Sequence, residues 1–196
     1  ADFSGNSIGH EGTSALSDAL QSNSTLEELK LCYNGIGAAG AQSLANMLQF
    51  NRALKSANLA RNDIGDDGAV AISAALESNT TLTELDLQAR WNGVKISATG
   101  AQAIAKMLAV NRSLTSVDLL RNDLGDGAAA IVAAAKQNGN IKTICGTEKG
   151  QTKISFRDYE LKALDAVLLS FDLEVNRALT SLNLCRNKIG AGGARA

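Results

Sequence analysis

The chain has 196 residues, 45% of them hydrophobic and 20% charged, with 18 glycines, no proline and a formal net charge of −1. That balance excludes the cationic surplus that gathers a nucleic-acid backbone at a protein surface, and no run of 18 or more apolar residues offers a membrane-spanning helix. With only 4% aromatic residues, the core has to be built from Leu, Ile, Val and Ala.

The opening residues, ADFSGNSIGHEG, carry neither a basic start nor a hydrophobic stretch of signal-peptide type. His10 is the single histidine; it is read as a solvated residue in the loop before the first helix, and its solitude excludes a His-paired catalytic site. Cys32, Cys145 and Cys185 are too scattered for a disulfide framework or zinc spacing. Reduced thiols in the cytoplasm or another reducing compartment are the expectation.

From Leu26 onward one phrase recurs. NRALKSANLARNDIGDDGA begins at Asn51, NRSLTSVDLLRNDLGDGA at Asn111 and NRALTSLNLCRNKIGAGGA at Asn176. Aligned, these echoes set a frame that starts at Leu26, Leu54, Leu82, Leu114, Ile141 and Leu179, spaced 28, 28, 32, 27 and 38 residues apart. The chain reads as one domain of stacked units: a partial unit over 1–25, repeats over 26–53, 54–81, 82–113 and 114–140, an irregular one over 141–178 and a partial one over 179–196.

Each unit opens on a short alternating triplet, predicted as a strand with one buried face: Leu29-Lys30-Leu31, Ala57-Asn58-Leu59, Leu85-Asp86-Leu87, Val117-Asp118-Leu119, Ile144-Cys145-Gly146 and Leu182-Asn183-Leu184. An amphipathic helix follows, with apolar residues three and four apart, such as Ala41, Leu44, Ala45 and Leu48, and small residues where it must lie close to its neighbour. Two asparagine rows punctuate the frame. Asn6, Asn34, Asn62, Asn122 and Asn187 follow the strands, where turning backbone needs both donors and acceptors, and they are expected to stack into a structural ladder. Asn23, Asn51, Asn79, Asn111, Asn138 and Asn176 stand where the helices end and are expected to close them in the left-handed conformation. Three of these also spell glycosylation sequons, but helix closure accounts for all six and glycosylation for half.

The pattern LxxLxLxxNxIGxxGAxxLAxxLxxNxx, carried by residues 26–53 and 54–81, resembles the leucine-rich repeat of the ribonuclease-inhibitor subtype, also found in NOD-like receptors and Ran GTPase-activating protein. The resemblance implies a right-handed α/β solenoid curved like a horseshoe, with a parallel sheet on the concave side and helices on the convex side. It leaves the partner open, because such arrays serve many functions.

The units depart from the pattern in three places. The third carries four extra residues in LQARWNGVKISATG, including the only tryptophan, Trp91; residues 88–99 are a candidate functional loop. In the fifth, Lys149 stands at the Asn position, residues 146–155 are predicted as a loop and Asp158–Phe171 as a helix. No polar capping unit shows at either end, with Ala1 falling in a strand and Ala196 in a helix, so the ends are expected to be continued by further repeats or covered by another chain.

No catalytic constellation, cofactor motif or metal-ligand spacing emerges. The turn glycines lack the Gly-Lys-Ser/Thr ending of a nucleotide loop. The candidate site is therefore the concave face: Glu28, Lys30, Glu84, Asp86 and Asp118 on the strands, with Tyr33, Arg61, Arg121 and Arg186 just beyond them and Arg90 and Trp91 in the inserted loop. Tyr, Trp and Arg carry most of the energy of protein interfaces; the plainer reading is that the arginines pair with Asp86 and Asp118. The function read from this is a non-catalytic scaffold for a protein partner, with no nucleic acid and no membrane insertion; GTPase activation of the Ran-activator type and an architectural subunit are the alternatives.

Overall fold

The computed structural model describes residues 1–147 and 150–194. Helices α1 (Gly9–Gln21), α2 (Gly37–Phe50), α3 (Gly65–Leu76), α4 (Ala98–Val110) and α5 (Gly127–Asn138) alternate with strands β1 (Glu28–Lys30), β2 (Ser56–Asn58), β3 (Glu84–Asp86) and β4 (Ser116–Asp118). Then come β5 (Lys153–Ser155), α6 (Ala163–Val175), β6 (Ser181–Asn183) and α7 (Gly190–Gly193).

Strands β1 to β4 pair in parallel in chain order, with Leu29, Ala57, Leu85 and Val117 in register as one buried row. Each helix packs on the next in sequence. One strand and one helix cannot cover their own apolar faces, so every unit is stable only against its neighbours. The result is an α/β solenoid with a buried apolar cluster that runs from Leu29 to Phe171. The small residues at the helix starts allow helix to approach helix: a Cβ added at Gly127 would stand 2.3 Å from the Ala101 Cβ, and one at Gly68 would stand 2.8 Å from that of Ala41.

Both asparagine rows tie unit to unit. Asn62 accepts the Asn34 N–H at 2.6 Å, while its amide donates to the Leu31, Leu59 and Ala60 carbonyls. Asn34, Asn122 and Asn187 make corresponding bonds, and Asn6, exposed, turns back on Phe3 and Ser4. The second row differs from expectation. Asn51, Asn111 and Asn176 are extended, with φ of −65°, −65° and −77°, and among the described residues only Gly139 closes a helix in the left-handed conformation. Their amides instead donate backwards to the preceding unit: Asn79 to Leu48 and Asn51, Asn111 to Leu76 and Asn79. Their oxygens accept the N–H groups two and three residues on, which lets the chain leave the helix without a left-handed residue.

The fifth unit departs furthest. Cys145, the middle residue of the predicted fifth strand and so expected on its open face, is 2% exposed and Thr143 beside it 3%, because α6 lies over them. The predicted loop over 146–155 contains strand β5, which pairs with β6 and not with the first sheet. The helix expected from Asp158 begins only at Ala163: Asp158 and Glu160 hold φ of +59° and +60°, and Asp165 accepts the Lys162 N–H at the true start. His10 lies within α1 rather than before it. Lys149 and Ala196, about which the sequence made specific expectations, lie outside the described residues.

Candidate functional site

The sheet face and the chain between α6 and β6 enclose a groove of about 1100 Å³. Asn58, Glu84, Asp86, Ser116 and Asp118 line its floor, with Val175, Asn176 and Arg177 on the facing wall. Each Asp or Asn that ends a strand has a local task. Asp86 accepts the Gln88 N–H, Asp118 the Leu120 N–H, Asn58 the Ala60 N–H and Asn183 the Cys185 N–H, all at 2.9–3.0 Å. This two-residue turn recurs because the chain leaves each strand the same way, and Asp or Asn satisfies the freed donor.

Asp86 and Asp118 sit opposite each other on β3 and β4. Burial pushes the Asp86 carboxyl up from its ordinary range, against the Gln88 N–H and the Arg61 charge that pull it down. Asp118 is pushed well up, first by burial and then by the charge of Asp86. Gly146 closes over it, with φ +68° and room for no Cβ: one would lie 2.6 Å from the second Asp118 oxygen. Elsewhere on the face, Glu28 pairs with Lys30 at 3.0 Å on the half-exposed rim of β1.

Just past the strands the backbone is left-handed, at Tyr33 (φ 58°), Arg61 (62°), Arg121 (68°) and Arg186 (57°). That turn aims these side chains along one rim. Arg61 donates to the Tyr33 hydroxyl at 2.7 Å and to Gln88 at 3.2 Å, with its guanidinium 4.9 Å from the Tyr33 ring centre. Arg90 approaches the same ring at 6.0 Å. Arg61 thus turns to Tyr33 and Gln88, and Arg90 to the Tyr33 ring, rather than pairing with Asp86 or Asp118. Arg186 stands 4.0 Å from Asp158, at the limit of an ion pair.

The inserted loop is held by the unit before it: Asp63 accepts the Val94 N–H, and Asp66 accepts the Ser97 and Gly100 N–H groups and the Ser97 hydroxyl. Burial pushes the Asp66 carboxyl up, but these bonds outweigh it and keep it below its ordinary value. The loop carries Trp91, 57% exposed, to a second, smaller cleft of about 200 Å³ shared with Lys95, Arg121, Glu160, Lys162, Asp165 and Lys188.

The structure thus divides the sequence-predicted residues between the groove floor, with Lys30, Glu84, Asp86 and Asp118; a rim cluster of Tyr33, Arg61 and Arg90; and the cleft, with Trp91 and Arg121. Missing from the sequence reading were Lys95, Glu160, Lys162, Lys188 and the two buried acids of α6, Asp165 and Asp172. Those acids stand seven apart on a helix face otherwise apolar, a spacing that could have exposed them. Among the described residues no group of His, Cys, Asp and Glu side chains could hold a metal ion, and no helix is long and apolar enough to cross a membrane.

Stacked units, an asparagine-tied backbone and an open sheet face define a repeat scaffold. The leucine-rich repeat model matches residues 22–45, 50–73, 78–105, 110–131 and 175–196, more than half of the chain, and the chain belongs to that family. Among solved structures, one titled "Leiomodin-1 Actin-Binding Site 2 (ABS2)" is similar, with 25% identity and a TM-score of 0.62 over 71% of this chain and 80% of that one. No curated protein matches significantly in sequence.

Proposed function

We propose that the chain is a non-catalytic protein-interaction scaffold that grips its partner with the concave sheet face and the loops at the strand ends. The observation that carries this reading is the conformation of the rim. Tyr33, Arg61, Arg121 and Arg186 keep large side chains in left-handed backbone, where an L-residue is disfavoured by about 1–2 kcal/mol and glycine is at ease. Gly5, in the equivalent place of the first unit, holds φ 72°. Four units that needed only to turn would use glycine too; aromatic and guanidinium groups held there despite strain fit a surface that contacts something. The groove supports the same reading, since it is wide and open enough for a protein segment. We read the repeats as of the ribonuclease-inhibitor kind, for their strand-helix length, and the two sheets as one domain, on the strength of the continuous apolar cluster.

The similar leiomodin-1 structure is of an actin-binding site, so actin is the first partner to test. Co-sedimentation with filaments and titration of monomers would be run on the chain and on the triple variant Glu84→Gln, Asp86→Asn, Asp118→Asn. Asparagine keeps the oxygen that accepts the turn N–H, so the variant removes charge and not the turn. Binding at least tenfold weaker in the variant is expected. Equal binding would take the groove floor out of the interface, and no binding to either form of actin would discard actin as the partner.

A further inference from the structure

We infer that the cleft between Trp91, Arg121 and Lys188 receives a carboxylate-bearing, Asp/Glu-rich segment of a protein partner, with the Arg121 guanidinium as the accepting cation. This rests on the scaffold reading above and narrows it to the partner's chemistry at one place.

The cleft is a product of both irregularities in the array. The inserted loop supplies Trp91 and Lys95, the turn after β4 supplies Arg121, the irregular unit supplies Glu160, Lys162 and Asp165, and the last unit supplies Lys188. Its internal charges are almost all committed. Lys162 stands 2.7 Å from Asp123 and Lys95 3.6 Å from the same carboxylate. Lys188 pairs with Glu160 at 2.5 Å and lies 5.7 Å from the Trp91 ring centre. Asp165 is occupied on both oxygens, by the Arg121 and Lys162 backbone N–H groups. Four cations thus face three carboxylates, and of the four cations that line the cleft Arg121, half-buried in its wall, is the one whose side chain makes no hydrogen bond or ion pair among the described residues.

One uncommitted guanidinium beside an exposed indole matches a planar, singly charged carboxylate. The two carboxylates lining the cleft oppose a dianionic phosphate, and its volume of about 200 Å³ admits a side chain rather than a folded surface. Arg90, next to Trp91 in the inserted loop, and Arg186, two residues before Lys188, carry the same sign close along the chain, so further acidic residues of one segment find favourable potential.

Trp91 is the only tryptophan, so its fluorescence reports on this cleft alone. The probes are a hexaglutamate peptide, a hexaglutamine peptide and a phosphoserine peptide of equal length. Hexaglutamate should change the emission saturably, more weakly as salt rises; hexaglutamine should not. Arg121→Gln should weaken the response about tenfold with an unchanged melting curve, and Arg121→Lys should recover part of it. No response to hexaglutamate, an equal response to hexaglutamine, or an unchanged response in Arg121→Gln overturns the proposal, and tighter binding of the phosphoserine peptide overturns the carboxylate as its ligand. The charge-neutralised groove variant should respond to hexaglutamate as the wild type does. Partner binding lost there with the peptide response intact separates the groove from the cleft; a failed peptide response with actin still bound removes the cleft assignment alone.

Discussion

From β1 to β4 each strand hydrogen-bonds the next in register, and buried asparagines close the turns between them. Past β4 the pattern continues for one half-step, with bridges from Ser116 to Thr143 and from Asp118 to Cys145, and β5 then pairs with β6 alone. Across that break the backbone donors are met by side chains of α6. Asp165 accepts the Arg121 N–H, and Asp172 accepts the Ile144 N–H and the Thr143 and Thr147 hydroxyls. The two regions meet one demand, that no buried polar group go without a partner. The regular part closes its turns with a neutral amide that both donates and accepts; across the break the bonds go to Asp165 and Asp172, each 3% exposed, carboxylates that only accept and that burial pushes above their ordinary range, as it does Asp86 and Asp118 on the open face. Interrupting the strand ladder therefore left the apolar cluster continuous but moved charge into the core.

If the apolar cluster is what joins the two regions, Phe171→Ala, 2% exposed in wild type, should cost about 3–5 kcal/mol. Urea unfolding should then resolve into two transitions, with residues beyond β4 melting first; a single transition of unchanged midpoint would mean that the cluster does not join them. Next in size, Asn62→Ala and Asp172→Ala remove corresponding devices from the two regions and should each cost about 2–3 kcal/mol, because each strands several buried groups. A loss below 1 kcal/mol for Asp172→Ala would mean that the carboxylate is not the counterpart of the amide.

A smaller effect reads the break itself by pH, at Asp118, the last residue of β4. Asp118 has a folded-state carboxyl raised above its unfolded value, so the native state binds the extra proton and stability falls as pH climbs from the ordinary carboxylate range through the raised one. Asp118→Asn, which keeps the acceptor for Leu120, should raise the melting midpoint at neutral pH and leave it unchanged well below the ordinary range. An equal shift at both pH values would assign the gain to something other than charge. The smallest change is expected at the exposed Lys55–Glu27 pair, where Lys55→Ala should alter unfolding free energy by less than about 0.5 kcal/mol.

The regular strands were legible to within a residue: the triplet predicted at Leu29-Lys30-Leu31 is strand Glu28–Lys30, and the next three follow in step. Repetition made this possible, since four copies of one pattern average out local ambiguity. β5 was not legible, because Lys153-Ile154-Ser155 lies off the repeat frame, which starts the fifth unit at Ile141 and puts its strand at Ile144-Cys145-Gly146. The helix start was misread for a related reason, as the positive φ values at Asp158 and Glu160 leave no mark on residue type. Of the site, the residue types on face and rim could be read off, but not that Arg61 would spend its hydrogen bonds on Tyr33 and Gln88.

Sequence alone determined the solenoid, since a unit with one apolar face and one polar strand row has no way to bury itself except against its own copy. The tertiary structure decided what the irregular units do with that scaffold. The wall at residues 175–178, the acids of α6 and the cleft joining Trp91 to Lys188 bring together segments from distant parts of the chain, and proximity of that kind follows from packing and not from any local pattern.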